Sequence, residues 1–228
     1  MPENFENKEN SEEVFEEKEI PSEKFLEILG SEKFLKALTI SGQETLKSGY
    51  ETVFRVNILD NGDADIVDVI RGGTDRIHPG TLEASTTIDG YENVGKKQGV
   101  LLGFHFHPEI KGEEIIEPSQ IDLEGLKHHA FIGIGQIGET GIDILLARKK
   151  RGISNSEIEE NAEEYEKEVS ERGFISKQEE LQEILDNNGF EGIIISYKKK
   201  GEEYKLIQKS RKRILGIGKI KVNMEEGF

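Results

Sequence analysis

The run Gly99-Val-Leu-Leu-Gly-Phe-His-Phe-His107 constrains this chain more than any other segment. Val100, Leu101, Leu102 and Phe104 form a near-continuous apolar series, which reads as a buried strand rather than one with a wet face. Such a strand needs cover on both sides, and the segments around it supply candidates. Thr52 to Ile58 and Ala64 to Ile70 are β-rich, and Asn61-Gly62 between them predicts a hairpin whose turn positions both tolerate positive φ. Residues 71–98 hold Gly, Pro, Thr and Asp with little periodicity and read as a long loop. After Pro118 a short helix is expected, followed by strands at Ala130 to Ile134 and Ile142 to Ala147.

Downstream, Ser156 and Glu159 form a capping-box pattern before Ile158, Ala162, Tyr165 and Val169. Ser176 and Glu179 repeat it before Leu181, Ile184 and Leu185, and Asn188-Gly189 marks the stop of that helix. Gly192 to Tyr197, Tyr204 to Gln208 and Ile214 to Val222 read as closing strands. Near the other end, Ser22-Glu-Lys-Phe-Leu recurs as Ser31-Glu-Lys-Phe-Leu, two helix starts with each Ser as N-cap. Residues 1–20, with eight Glu and two Lys, read as a disordered acidic tail or a loosely held helix. The expected architecture is therefore one mixed-sheet α/β domain over 21–228, with a helical insertion at 154–188.

Composition excludes some chemistry. The 228 residues contain no cysteine, so a metal here must be held by His, Asp or Glu. With 46 acidic against 30 basic side chains the net charge is −16, unfavourable for a general nucleic-acid binder. No apolar run approaches the ~20 residues of a membrane span. The acidic N-terminus lacks the basic and apolar regions of a secretory signal, so a cytoplasmic protein is expected.

His105 and His107 stand two apart at the end of the buried strand. A period of two puts both imidazoles on one face, close enough to share a metal ion. Further on comes Pro118-Ser119-Gln-Ile-Asp122-Leu. Ser119 suits an N-cap, and Asp122 at the third helical position can accept from the backbone there. The same geometry presents its carboxylate on a first helical turn, where it can also face a strand end.

Together, His-x-His-Pro followed by Pro-Ser-x-x-Asp-Leu resembles the signature of the JAMM (MPN-plus, JAB-type) zinc metalloproteases. The motif covers residues 105–122, and a weaker likeness in layout extends over 46–147. The resemblance implies an MPN/JAB-like, cytidine-deaminase-like fold. It makes His105, His107 and Asp122 ligands of Zn2+, Ser119 a support for the oxyanion and an upstream Glu the group that acts on the attacking water. Glu51, which opens the strand Thr52 to Ile58, fits the family's order of helix, Glu and strand better than Glu44 or Glu83. The implied partner is a protein or peptide substrate, cut at a peptide or isopeptide bond in the tail of a ubiquitin-like modifier or a small sulfur carrier. Oligomeric state is left open.

Pro108 to Pro118, eleven residues, separates the second His from Ser119, a few more than is usual in the family. Such a segment can be looped out at small cost. Two other readings stand beside this one. A catalytically silent MPN-type scaffold would keep the fold without the chemistry. A cupin-like metal oxygenase also uses His-x-His, but Lys111 and Gly112 stand where its Glu belongs, and no later strand His is expected. The adjacent pair His128 and His129 reads as structural or as support for the ligands, His78 as a solvated loop residue.

Overall fold

In a computed structural model the structure describes residues 16–71, 97–107 and 116–226, except 139, 174, 176 and 202. The loop expected at 71–98 thus lies almost wholly outside the described residues, as do His78, Glu83, Pro108 to Glu114 and the N-cap expected at Ser176.

Among the described residues the protein is a mixed α/β structure built on one nine-stranded sheet. Its elements run β1 (Glu16–Pro21), α1 (Ser22–Leu29), α2 (Glu32–Ser48), β2 (Thr52–Leu59), β3 (Ala64–Arg71), β4 (Lys97–Phe106), α3 (Gln120–Glu124), β5 (His129–Ile137) and β6 (Gly141–Lys149). Then follow α4 (Glu157–Arg172), α5 (Gln178–Asn187), β7 (Phe190–Lys200), β8 (Glu203–Leu206), α6 (Gln208–Leu215) and β9 (Lys219–Glu226). The strand order is β1-β9-β4-β5-β6-β7-β8, with β2 also pairing β4 and β3 pairing β2. The β4–β5 pair is parallel and the other pairs are antiparallel.

β4 is the central buried strand that its sequence demands. Leu102, Phe104 and Phe106 point into a core roofed by α1, α2 and α6. Phe104 stacks on Phe54 of β2 with centroids 4.6 Å apart, and Phe25 of α1 stacks on Phe131 of β5 at 4.9 Å. Burying each such ring contributes on the order of 1.5–3 kcal/mol. Gly133 and Gly135 on β5 make room for these rings, since a Cβ at Gly135 would meet Phe104 and Phe106 at 2.6 Å. On the opposite face Ile132, Ile134 and Leu145 pack against Leu123, Ile158 and Tyr165, contributed by α3 and α4. His105 and His107 alternate with Phe104 and Phe106, so they emerge on the α3/α4 side.

Several local expectations are corrected. Residues 16–20 are not tail or helix: they belong to β1, antiparallel to β9. Ile20 is buried in the core, and Glu17 and Glu19 ion-pair with Lys221 and Lys219, so charges that suggest a solvated tail are matched across the pair. Ser31 caps α2 by accepting from Phe34 N at 3.2 Å, but Ser22 does not cap α1; its hydroxyl donates to Leu215 O at 3.3 Å. Pro21 precedes α1, and Ser22 is buried with its backbone N–H donating to Gly218 O at 2.8 Å. The hairpin expected at Asn61-Gly62 is present, with β2 antiparallel to β3, and its turn takes positive φ at Gly62 only. Gly62 N–H closes it to Leu59 O at 2.8 Å, and Gly62 alone has φ 86°.

Ser156 is the N-cap of α4 but forms no capping box with Glu159; the local bonds run from Ser154 to Glu157 instead. Ser154 N and Oγ both donate to Glu157 Oε2, at 2.8 and 2.6 Å, whereas the Ser156 side chain makes no cap bond. The strand expected from Ile214 begins only at Lys219, because Gln208–Leu215 is the helix α6. That helix buries just Ser210 and Ile214, too narrow a stripe to signal itself by apolar spacing. Among the described residues no helix is long and apolar enough to cross a membrane.

Candidate metal centre

The site lies where β4 ends, beside the start of β2 and the first turn of α3. β2 runs antiparallel to β4 with Val53 opposite His105 and Thr52 opposite Phe106, which brings Glu51 level with His107. Thr52 anchors that corner to α2. Its hydroxyl lies 2.6 Å from Ser41 Oγ and 2.7 Å from Thr45 Oγ1, and it donates to Ser41 O at 3.0 Å. All three side chains are buried, so the network is closed to water and fixes the strand start that carries Glu51.

α3 supplies the carboxylate. Ser119 and Asp122 form a complete capping box: Asp122 N donates to Ser119 Oγ at 3.3 Å, while Ser119 N and Oγ donate to Asp122 Oδ2 at 2.8 and 2.7 Å. With Oδ2 so engaged, Oδ1 turns to the strand end and lies 3.5 Å from His105 Nε2. The two imidazoles meet with Nε2 atoms 3.0 Å apart. His105 and Asp122 side chains are 12% and 17% exposed, His107 and Glu51 37% and 30%, so the cluster is sheltered at its base and open at its rim.

One donor atom from each of His105, His107 and Asp122 lies within 4.8 Å of the others, an arrangement that could hold a metal ion. A tetrahedral ion bonded at about 2.0–2.1 Å separates its donors by about 3.3–3.4 Å. Two of the three pairs, at 3.0 and 3.5 Å, bracket that spacing and the third lies within 4.8 Å, so the residues present are grouped at about the size of such an ion. Glu51 Oε1 stands 4.0 Å from His107 Nε2, beside the group rather than in it. Burial raises the Glu51 carboxyl above its usual range, opposed by His107 and reinforced by Asp122. Burial also works to raise Asp122, but His105, the two bonds from Ser119 and His107 outweigh it and hold that carboxyl low. The two carboxylates are thus pushed apart, one toward accepting protons and one toward staying ionised.

All five residues singled out in the sequence meet here. Of the alternatives to Glu51, Glu44 lies on α2 and Glu83 outside the described residues. The single proton of the Ser119 hydroxyl is directed to Asp122, a role that the reading of Ser119 as an oxyanion donor does not contain. His129 does stand on a strand, at the start of β5, against the expectation that no strand His would follow. It is not part of the metal-sized group: its Nδ1 is buried against Gly103 and Gly125. His128 is exposed at the end of a single 3-10 turn. Two polar side chains near the site are signalled by no motif: Arg55 on β2 and Tyr165 on α4. Comparison with protein-family models, with curated proteins and with solved structures finds no match for the protein.

Proposed function

We propose that this protein is a zinc-dependent peptidase or isopeptidase of the JAMM (MPN-plus) type. The observation that carries the reading is the convergence of His105, His107 and Asp122 at metal-ligand spacing with Glu51 at 4.0 Å from His107. These residues come from three separate elements, and neither packing nor capping alone requires that they meet.

A set of two imidazoles and one carboxylate suits zinc, and three protein ligands leave a position for water or substrate. When bound, zinc supplies the Lewis acidity that acidifies water and polarises a carbonyl. Glu51 takes the proton of the attacking water and passes it to the leaving amine, a task helped by a carboxyl raised toward neutrality. Asp122 stays ionised, and Ser119 holds it in place by the bond to Oδ2. Supporting an oxyanion would require the Ser119 hydroxyl to turn away from Asp122, so its steady contribution is to position the ligand. The MPN/JAB fold, and a substrate bond in the tail of a ubiquitin-like or sulfur-carrier protein, belong to this proposal through the resemblance of the motif.

The experiment is hydrolysis of peptide and modifier-fusion substrates by the zinc-loaded protein, by the chelated protein and by Glu51→Gln. Turnover that disappears with chelator, returns with zinc and is lost in Glu51→Gln supports the reading. A zinc-loaded protein that hydrolyses none of these substrates is instead a silent scaffold.

A further inference from the structure

One pleat below the metal-facing histidines, the same face of the sheet carries Arg55, a cation that no carboxylate pairs with among the described residues. β2 and β4 pair Val53 with His105 and Arg55 with Gly103, and directly paired residues project to one face. Arg55 therefore stands about 7 Å along the strands from the level of His105. Gly103 puts no side chain in its way. On the far side of Gly103 lies the ring of His129, and a Cβ at Gly103 would meet its Nδ1 at 3.0 Å and its Cε1 at 3.1 Å. The His129 ring thus packs over the buried Gly103, and Arg55 stands beside them on the neighbouring strand, next to the metal centre.

The Arg55 guanidinium is half-buried, and among the described residues no carboxylate pairs with it; burial alone acts on it, drawing its pKa down. His129 offers no counter-charge. Burial, then the charge of Arg55, then His128 hold its imidazole neutral, with a pKa lowered to about 4. A cation withdrawn from water without a partner is costly, whereas the same guanidinium facing a bound carboxylate makes one of the strongest polar contacts. Uncompensated charge beside a reaction centre is what a binding subsite retains at the expense of stability.

We propose that Arg55 anchors a carboxylate of the substrate, and so selects bonds that lie about two residues from an anionic group. This deepens the peptidase reading and rests on it. The interval follows from backbone geometry, since an extended peptide advances about 3.3–3.6 Å per residue and Arg55 sits about 7 Å along the sheet. The carboxylate can come from a free C-terminus or from an acidic side group of the substrate.

The test is calorimetric titration of the zinc-loaded full-length protein with three peptides. They are acetyl-trialanine as free acid, the same peptide as amide, and the amide with Glu in the last position. Wild type should bind at least one carboxylate-bearing peptide about tenfold tighter than the neutral amide, the size of one charge-assisted contact. Arg55→Ala should lose that preference and Arg55→Lys keep part of it, with zinc content unchanged in both. Arg55→Ala should also resist urea at least as well as wild type, which a residue kept for stability would not allow. Preference for the free acid identifies the C-terminus as the source, and preference for the Glu amide identifies a side group. Equal affinity of wild type for all three peptides overturns the proposal. So does a carboxylate preference that survives in Arg55→Ala, because the zinc would then be the anchor. Binding is read separately from turnover, so a protein that shows the Arg55-dependent preference without hydrolysis contradicts the peptidase reading and leaves the anion subsite standing.

Discussion

Asp122 divides its carboxylate between two neighbours, with Oδ2 accepting from Ser119 at 2.7 Å and Oδ1 lying 3.5 Å from His105 Nε2. A helix cap and a candidate metal ligand are the same side chain, so the fold of α3 and the geometry of the site stand or fall together.

That coupling predicts the effect of Ser119→Ala. Losing the cap should cost about 1 kcal/mol of stability, and losing the group that orients Asp122 should weaken zinc affinity about 10–100-fold. Competition with a fluorescent chelator measures the second effect. Unchanged affinity with turnover reduced about 10²–10³-fold would instead assign Ser119 to the oxyanion.

Glu51 makes a different prediction. Glu51→Gln keeps the size of the side chain but replaces one acceptor oxygen by an NH2 donor and cannot take up a proton. Zinc stoichiometry should be unchanged, and turnover should fall about 10²–10⁴-fold. Wild-type turnover in this variant would move the base to another carboxylate.

His129 gives a pH signature apart from catalysis. Its folded pKa, about 4, lies below the unfolded value of about 6.5. Its contribution is therefore fully present above pH ~6.5 and is lost as pH falls toward 4, because the unfolded chain takes up the proton first. The loss approaches about 3 kcal/mol across that window. Urea unfolding between pH 7 and 4.5, in chelator so that zinc does not contribute, should show wild type losing more stability than His129→Asn. Parallel curves would mean that the imidazole titrates in place.

The histidines, Asp122 and Glu51 are legible in the sequence because each sits at an element boundary that its neighbours announce. Phe104 and Phe106 set the alternation for His105 and His107, the Ser119 box marks the start of α3, and Glu51 precedes a β-rich run. Arg55 is not legible, since a charged residue alternating with Phe54 and Val56 reads as a solvent-facing strand position. Only the pairing with Gly103 and the neighbouring ring of His129 show that it is half-buried. α6 and β1 escape the sequence for a related reason. The charges of β1 are matched by partners distant in sequence, as in Glu17 with Lys221, and α6 buries only Ser210 and Ile214, so local pattern carries no trace of either. The box expected before α4 does not form, because Ser154-x-x-Glu157 has the same spacing as Ser156-x-x-Glu159 and Glu157 is taken by Ser154, which only the hydrogen bonds reveal.

Packing of the central strands predicts the outcome of Gly135→Ala. The added methyl would meet Phe104 and Phe106 at 2.6 Å, and overpacking of this kind costs about 1–3 kcal/mol. Both rings lie on the face away from the histidines, so zinc binding should persist in the folded variant. Urea midpoints and zinc titration together check this, and a fully stable Gly135→Ala would show that β4 and β5 separate more easily than their register implies.

Elemental analysis of the purified protein after zinc loading and removal of loosely bound metal addresses the central claim most directly. The account predicts one zinc per wild-type molecule and none in the folded His105→Ala/His107→Ala double variant. Full zinc occupancy in the double variant, or a wild-type protein that retains no zinc, would contradict it.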